Sequence, residues 1–567
     1  MTFQKDLLII IILTAASATM ATLSFAPFEY PLLAWFSLWP IFYCCRRYSH
    51  NLWWLMFVGF TLSLFVSVFA FHWMIPTFEL ALRTELLMSL LLFLLFILSM
   101  SLKGILLAVA IGLLIKYAKD NSSLNNWYVV GFIGVFVEWV TPQFIPWTWG
   151  NIIASNLYLA QILEFTGVYG LSFLLFAGSY YLYELFVVRK VNSSQLNLLA
   201  VPALFCICLI FGVIRVSEIE TIQSELPTSR VASLQTNSPL AQVEKQYEIR
   251  DDVFKVIGET IPNLAKKSFE GAGGSLDLII LPEAVVPFSS TDGNLHNRNW
   301  GLYSEPFDLA IRKAARDYNT DIYLGEITVR SGSDYLGNTH GQPTNSSVIY
   351  HNDGSRGRSY AKNILFPMGE YIPFVGIADS LGLLALLPPG FAQSQFYAAK
   401  SHNLLPYSKS DSNAVFMPLI CYEILFSDYV REFYNVGGSE LPDYLVNITQ
   451  DGWFQDSLAS AQHLELARLR SIETRRALIR TANSGISVLY GLDGSPVEPI
   501  HGPTFTAQFE EAVQVWDVPI NKNQTTFFMM YGNSWIGLLG ILVLLPFALR
   551  LLNARKVTGL IPSANEF

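Results

Sequence analysis

Apolar runs long enough to cross a bilayer recur through the first 214 residues, and they restrict the fold more than any other feature of the chain. A membrane-spanning helix needs roughly 20 apolar residues. The candidates are 7–25, 30–45, 52–72, 86–115, 127–141, 171–188 and 196–214, with an eighth at 533–552. The first also reads as a signal peptide flanked by Lys5, but its run is long for that role and further spans follow at once. Composition agrees, since 52% of the 567 residues are hydrophobic and only 14% charged, an excess over ordinary soluble chains. A net charge of −9 argues against nucleic acid as a partner.

Lysine and arginine near spans stay on the cytoplasmic side. With residue 1 inside, the inner loops and ends hold Lys5, Arg46, Arg47, Lys116, Lys119, Arg189, Lys190, Arg550, Arg555 and Lys556, whereas the outer loops between the first seven spans hold only Arg83. Seven crossings then put 215–532 outside, and the eighth returns the C-terminus to the cytoplasm. Lys103 within the fourth run reads as a snorkelling side chain. The stretch Glu138–Trp149, with three tryptophans and two prolines, reads either as an interfacial aromatic belt or as an outer-leaflet floor beneath an active site.

From about residue 228 the pattern becomes that of an α/β domain. Strands are expected at 231–237, 276–281, 321–325, 346–350, 414–421, 444–449, 485–490 and 512–518, and helices at 306–318 and 459–475, with a helix-like stretch over 240–268. Alternation of apolar strands and amphipathic helices predicts a layered α/β sandwich. The long, partly apolar loop 375–412 reads as a lid or a membrane-touching arm. The expected boundaries are a membrane domain over 1–214, a linker over 215–227, a catalytic domain over 228–520, a linker over 521–532, the eighth helix over 533–552 and a tail over 553–567.

Of the five cysteines, Cys44, Cys45, Cys206 and Cys208 fall in apolar runs, so Cys421 alone belongs to the hydrophilic part. A lone cysteine on the outer side is either a free reactive thiol or a small buried hydrophobe. Two further residues stand at strand ends, Glu283 in Leu-Pro-Glu and Lys362 in Tyr-Ala-Lys-Asn. A carboxylate takes a thiol's proton, and an ammonium favours the thiolate and then the oxyanion of a tetrahedral intermediate. Together the three make an acyl-transfer device, although each alone has an ordinary structural reading.

The stretches Leu281–Ala284, Lys362 with Phe366–Phe374, Ile420–Glu423, Asp451–Phe454 and Arg480–Ser487 resemble the nitrilase superfamily. Within it they are most similar to the bacterial apolipoprotein N-acyltransferases, and the membrane half, with Glu138–Trp139, Phe144–Trp147 and Gly167–Phe173, is similar too. The resemblance implies an extracytoplasmic αββα sandwich, with Glu283 as general base, Lys362 stabilising the tetrahedral intermediate and Cys421 becoming a thioester. It also implies that Glu370 orients lysine and base, that Tyr422 and Glu423 are needed beside the nucleophile, and that Trp453 lines the pocket unless it is ordinary core.

The implied reaction moves an acyl chain from a phospholipid, phosphatidylethanolamine, to the α-amine of a diacylglyceryl-cysteine lipoprotein. It would take place at the bacterial inner membrane, in a monomer without metal or organic cofactor. Two departures stand out: Gln450 occupies the family's usual asparagine position, and the tryptophan that often follows the Gln235–Asn237 strand end is absent from Ala241–Tyr247. A membrane-anchored amidohydrolase and a transporter with an outer binding module are the competing readings.

Overall fold

The computed structural model describes residues 2–82, 84–117, 127–188, 195–240, 250–286, 303–330, 342–382, 396–408, 413–436, 441–522 and 524–541, with 543 and 545. The chain divides into two compact units. One comprises 1–72, 93–216 and 526–567; the other comprises 217–525 together with the excursion 73–92.

The first unit is helical. Five of the chain's described helices are long and apolar enough to cross a membrane: Phe3–Ser24, Leu52–Phe71, Leu86–Tyr117, Val168–Val188 and Leu199–Glu225. The run 127–141 forms the shorter helix Trp127–Val140. The run 30–45 is not one helix but two, Pro31–Ser37 and Trp39–Arg47. Pro40 explains the break, because it has no N–H to donate to Phe36 and its ring collides with that carbonyl. The expected eighth span, 533–552, is helical from Ser534 as far as it is described, and its remainder lies outside the described residues.

Leu52–Phe71 and Leu86–Tyr117 meet at Gly59 and Gly104, where a methyl on either glycine would strike the backbone carbonyl of the other. In apolar surroundings such close backbone approach supplies the packing that water cannot drive. Lys103, one residue before, does not snorkel. It is 4% exposed, and its ammonium donates to Gln143 Oε1 at 2.7 Å and to the Trp147 carbonyl at 2.6 Å. Trp147 and Trp149 are buried rather than arrayed as a belt, and the Trp149 N–H donates to buried Glu138 at 2.6 Å.

The second unit is a four-layer sandwich. Its strands are β1 Thr228–Gln235, β2 Leu278–Ile280, β3 Asp321–Arg330, β4 Gln342–Tyr350, β5 Arg356–Ala361, β6 Leu405–Ser408, β7 Asn413–Ile420, β8 Tyr444–Thr449, β9 Leu478–Ala482, β10 Val488–Tyr490 and β11 Ala512–Pro519. They form a six-stranded sheet in the order β11-β1-β2-β3-β4-β5 and a five-stranded sheet in the order β10-β9-β8-β7-β6. In each sheet three strands, β1-β2-β3 and β7-β8-β9, run parallel.

Side chains alternate between the two faces. Val231, Leu278 and Ile280 join the core shared with the second sheet, where Tyr323 packs on Phe416 and Ser233 bonds Thr481. Ala232, Leu234, Ile279 and Leu281 instead pack under helices Ile261–Gly271 and Ser304–Tyr318. Helix Leu458–Thr474, on the other side, is buried from Ala459 to its end except at the half-buried Ala461.

Most expected elements appear, with shifted ends. The strand expected at 346–350 starts at Gln342, and the one at 485–490 shrinks to β10 because 483–487 form the turn that joins it to the unexpected β9, Leu478–Ala482. The loop 375–412 carries a short helix, Val375–Ser380, and β6, while 383–395 and 409–412 fall outside the described residues. So does Ala241–Tyr247, where the tryptophan is missing, and the described part of 240–268 is helical from Arg250.

The glycine contact gives a test. Gly104→Val should destabilise the detergent-solubilised protein by about 1–3 kcal/mol through overpacking, read as a drop of several degrees in Tm. Gly258→Ala, whose added methyl meets open space, should leave Tm unchanged or raised.

Candidate active site

Parallel strands in one sheet end at the same edge, and groups placed just beyond those ends converge there. Glu283 follows β2, Lys362 follows β5, Cys421 follows β7 and Gln450 follows β8. The structure therefore brings the sequence-predicted trio to one edge of the sandwich.

Lys362 is the centre of the arrangement. It is 1% exposed, and its ammonium lies 2.9 Å from Glu370 Oε2 and 3.6 Å from Glu283 Oε1. Burial pulls its pKa down, but the Glu370 and Glu283 carboxylates outweigh that, and the net shift is upward. The group stays an ammonium across the working range. Asn345, which the sequence did not single out, donates from Nδ2 to Glu283 Oε1 and to Glu370 Oε1, each at 2.7 Å. Glu370 also accepts the Phe366 N–H at 2.7 Å.

Glu283 is 6% exposed, and its second oxygen accepts the Gln450 N–H at 2.8 Å. Burial raises its pKa, Lys362 opposes that rise and Glu370 adds to it. Gln450, the departure from the family's asparagine, serves the loop well: its side-chain oxygen accepts from the Gly452 N–H at 3.3 Å and from the Ser484 hydroxyl at 3.2 Å.

Cys421 opens a single 3-10 turn, Cys421–Leu425, with φ of +51°. A non-glycine residue in the left-handed region costs of order 1 kcal/mol, so its surroundings must impose it. Glu423 does so from one side. Its carboxylate is fully buried and accepts the Ile420 N–H at 2.8 Å, the Asn363 N–H at 2.6 Å and the Tyr360 hydroxyl at 2.8 Å. The turn that carries the thiol is thereby tied to the segment that carries Lys362. Tyr422 packs edge-on against Phe366, in the loop that carries Glu370, and against Phe426.

Cys421 itself is half-buried. Burial pushes its thiol pKa up, Glu283 pushes it further and Lys362 opposes both. The resting group is a neutral thiol, and the carboxylate is where its proton can go. Trp453, in the turn Asp451–Phe454, is half-buried while Asp451, Gly452 and Phe454 are buried, so it is not ordinary core. Asn447 and His463, buried with Arg480 behind the Cys421 turn, were not singled out from the sequence, whereas Arg480 opens the Arg480–Ser487 stretch without a role assigned to it there. Each is one polar residue in an otherwise ordinary strand or helix, and only its partners reveal it.

Two measurements check these electrostatics. Iodoacetamide labelling of Cys421 below pH 9 should slow in Lys362→Met, about tenfold for each unit by which losing the ammonium raises the thiol pKa. Burial lifts the Glu423 pKa from 4.5 to about 7. A raised folded-state pKa means that the folded protein holds the proton more tightly, so this contribution to stability is full below about pH 4.5 and lost as pH rises through about 7. The Tm of the wild type relative to Glu423→Gln should fall across that window.

The chain matches two family models: the apolipoprotein N-acyltransferase N-terminal domain over residues 17–181 and the carbon-nitrogen hydrolase over 230–521. Apolipoprotein N-acyltransferase 2 of Leptospira interrogans is 28% identical, covering 94% of this chain and 94% of that protein. Apolipoprotein N-acyltransferase of Haemophilus ducreyi is 25% identical, covering 75% and 77%. That of Haemophilus influenzae is 31% identical over 50% of this chain and 48% of its own length. With its second family model spanning more than half of the residues, the chain belongs to the carbon-nitrogen hydrolase family.

Proposed function

We propose that this protein is an apolipoprotein N-acyltransferase that works through a thioester on Cys421. The observation that carries the reading is the meeting of a buried ammonium, a carboxylate and a neutral thiol at one edge of the sandwich, in a chain similar over 94% of its length to a relative of that name.

In the first half-reaction Glu283 takes the thiol proton as sulfur attacks the ester carbonyl of phosphatidylethanolamine. The tetrahedral oxyanion faces the Lys362 ammonium, which is charged before substrate arrives and needs no reorganisation. Collapse breaks the ester C–O bond, and the departing lysophospholipid oxygen takes the proton back from Glu283. In the second half-reaction the α-amine of a diacylglyceryl-cysteine attacks the thioester. Glu283 receives the ammonium proton, the C–S bond breaks, and the sulfur recovers that proton as an amide is released. Glu370 and Asn345 hold lysine and base in register, Glu423 and Tyr422 hold the turn, and Trp453 faces the acyl chain. The chemistry calls on no metal or organic cofactor.

Both substrates are anchored by fatty chains, which supports a catalytic domain on the periplasmic side of the inner membrane. The distribution of lysine and arginine supports eight crossings with both termini in the cytoplasm.

Cys421→Ala and Cys421→Ser should abolish acyl transfer with membrane insertion intact. Glu283→Gln should lose about 10²–10⁴-fold in acylation rate, the usual worth of a positioned base. The direct check is incubation with labelled phospholipid followed by peptide mass analysis for a hydroxylamine-sensitive acyl group on residue 421. An active Cys421→Ala protein would overturn the reading, and release of free fatty acid in place of acylated amine would favour an amidohydrolase-like hydrolysis.

A further inference from the structure

The carbonyl of Cys421 is held by two side chains that neither the sequence motifs nor the acyl-transfer mechanism employs. Asn447 Nδ2 donates to it at 3.2 Å and also to the Leu419 carbonyl at 3.2 Å. His463 Nε2 lies 3.3 Å from the same oxygen. A carbonyl only accepts, so the imidazole carries a proton on Nε2. Burial and the Arg480 charge hold the His463 pKa down, so the ring is neutral and Nδ1 is left as an acceptor. Arg480 fills that demand. One of its terminal nitrogens lies 3.3 Å from His463 Nδ1 and 2.8 Å from Asp451 Oδ2, while the other donates to Asn447 Oδ1 at 2.7 Å. Asp451 Oδ1 stands farther from Nδ1, at 3.5 Å. A single, fully buried guanidinium therefore orients both donors that grip the nucleophile's peptide unit.

His463 is in turn fixed from outside the sandwich. Gln462, its neighbour on helix Leu458–Thr474, accepts the Trp73 indole N–H at 3.0 Å. The Trp73 ring meets Phe454 edge-on at 5.3 Å, and Phe454 meets the His463 ring at 6.3 Å. Trp73 is 5% exposed and opens the excursion 73–92, whose residues before Leu86 lie in sequence between two apolar helices long enough to span a membrane yet form part of the catalytic unit.

We propose that His463 is a positioning residue for Cys421 and that Trp73 holds it in place, so that the nucleophile is fully set only when the segment between two membrane helices has docked. The inference rests on Cys421 being the nucleophile. Its physical content is that two donors on one carbonyl fix the Cys421–Tyr422 peptide plane, and with it the direction of a thiol whose backbone is in a costly conformation.

The test uses the full-length enzyme in phosphatidylethanolamine vesicles, reading kcat and KM for acylation of Cys421 together with Tm. His463→Leu removes the donor, whereas His463→Gln keeps an N–H near the position of Nε2. His463→Leu should lower kcat about 10–100-fold, the scale of a small misplacement of a reacting group, with KM changed less than about twofold. His463→Gln should recover most of that loss. Trp73→Ala should reproduce the kcat defect, and Trp73→Phe, which keeps the ring and loses the N–H, should fall between. An intact rate in His463→Leu, no recovery in His463→Gln, or a loss confined to KM would overturn the inference. Should His463→Leu fail to fold, the graded Trp73 series decides on the same criteria. Cys421→Ala separates the two claims: an inert Cys421→Ala beside a fully active His463→Leu ends this inference and leaves the acyltransferase reading standing.

Discussion

One ammonium buried between two carboxylates sets the conditions for the rest of the catalytic unit. Removing three charged groups from water is costly, and their attraction compensates only where geometry and hydrogen bonding are good. Here Lys362 lies within ion-pair reach of Glu283 and Glu370, Asn345 bonds both carboxylates, and backbone N–H groups of Phe366 and Gln450 satisfy the remaining oxygens. Two anions share one cation, so the cluster has a negative excess and a place for a proton. Cys421 supplies it. With both the thiol and Glu283 shifted upward, the proton rests on sulfur while the site is empty of substrate. A resting thiol is also less open to stray oxidation and alkylation than a thiolate would be.

The sandwich exists to hold those groups in register. Glu283 and Gln450 come from different sheets, and the hydrogen bond between them crosses from the end of β2 to the end of β8. Glu423 makes the corresponding tie between the β7 turn and the residues after β5. A strand that slipped by one residue would exchange its core and outer faces, and Val231, Leu278 and Ile280 on one face against Ala232, Ile279 and Leu281 on the other leave no such freedom. Core packing thus fixes register, and register fixes the distance from the Lys362 ammonium to the Glu283 carboxylate.

What could be read from the sequence was whatever local pattern announces. Glu283, Lys362 and Cys421 stand beyond strand ends, and for Glu283 and Cys421 the strand is a short apolar run that shows itself directly. β5, β6 and β9 escaped because Arg356–Ala361 is largely polar, Leu405–Ser408 is only four residues long and Leu478–Ala482 is interrupted by Arg480, so none shows a clear hydrophobic period. Asn345, Asn447 and His463, and the role of Arg480, escaped for a different reason. A polar residue inside an element has no meaning until its partner is known, and these partners lie from 17 positions away, as with His463 and Arg480, to 62, as with Asn345 and Glu283. The helical half shows the same limit. Hydropathy locates Leu52–Phe71 and Leu86–Tyr117, but the crossing at Gly59 and Gly104 depends on a contact, and the break at Pro40 on a single residue, that a window average removes.

An anchor requires apolar length and little else, and the helical unit contains much more. A charge in apolar surroundings is costly to keep unless it is paired, and Lys103, Glu138 and Arg215 each have a partner from elsewhere in the unit. Both acceptors of Lys103 belong to Gln143–Trp147, and the Trp149 N–H is a donor to Glu138. Arg215 makes a bidentate pair with Glu164 at 2.9 to 3.2 Å. The first two contacts pin the tryptophan-rich stretch near both of its ends, leaving Trp147 and Trp149 no freedom to spread along an interface. A loop fixed by buried charge has one shape, and a unit that keeps such a loop is a scaffold with a specified surface as well as a means of attachment.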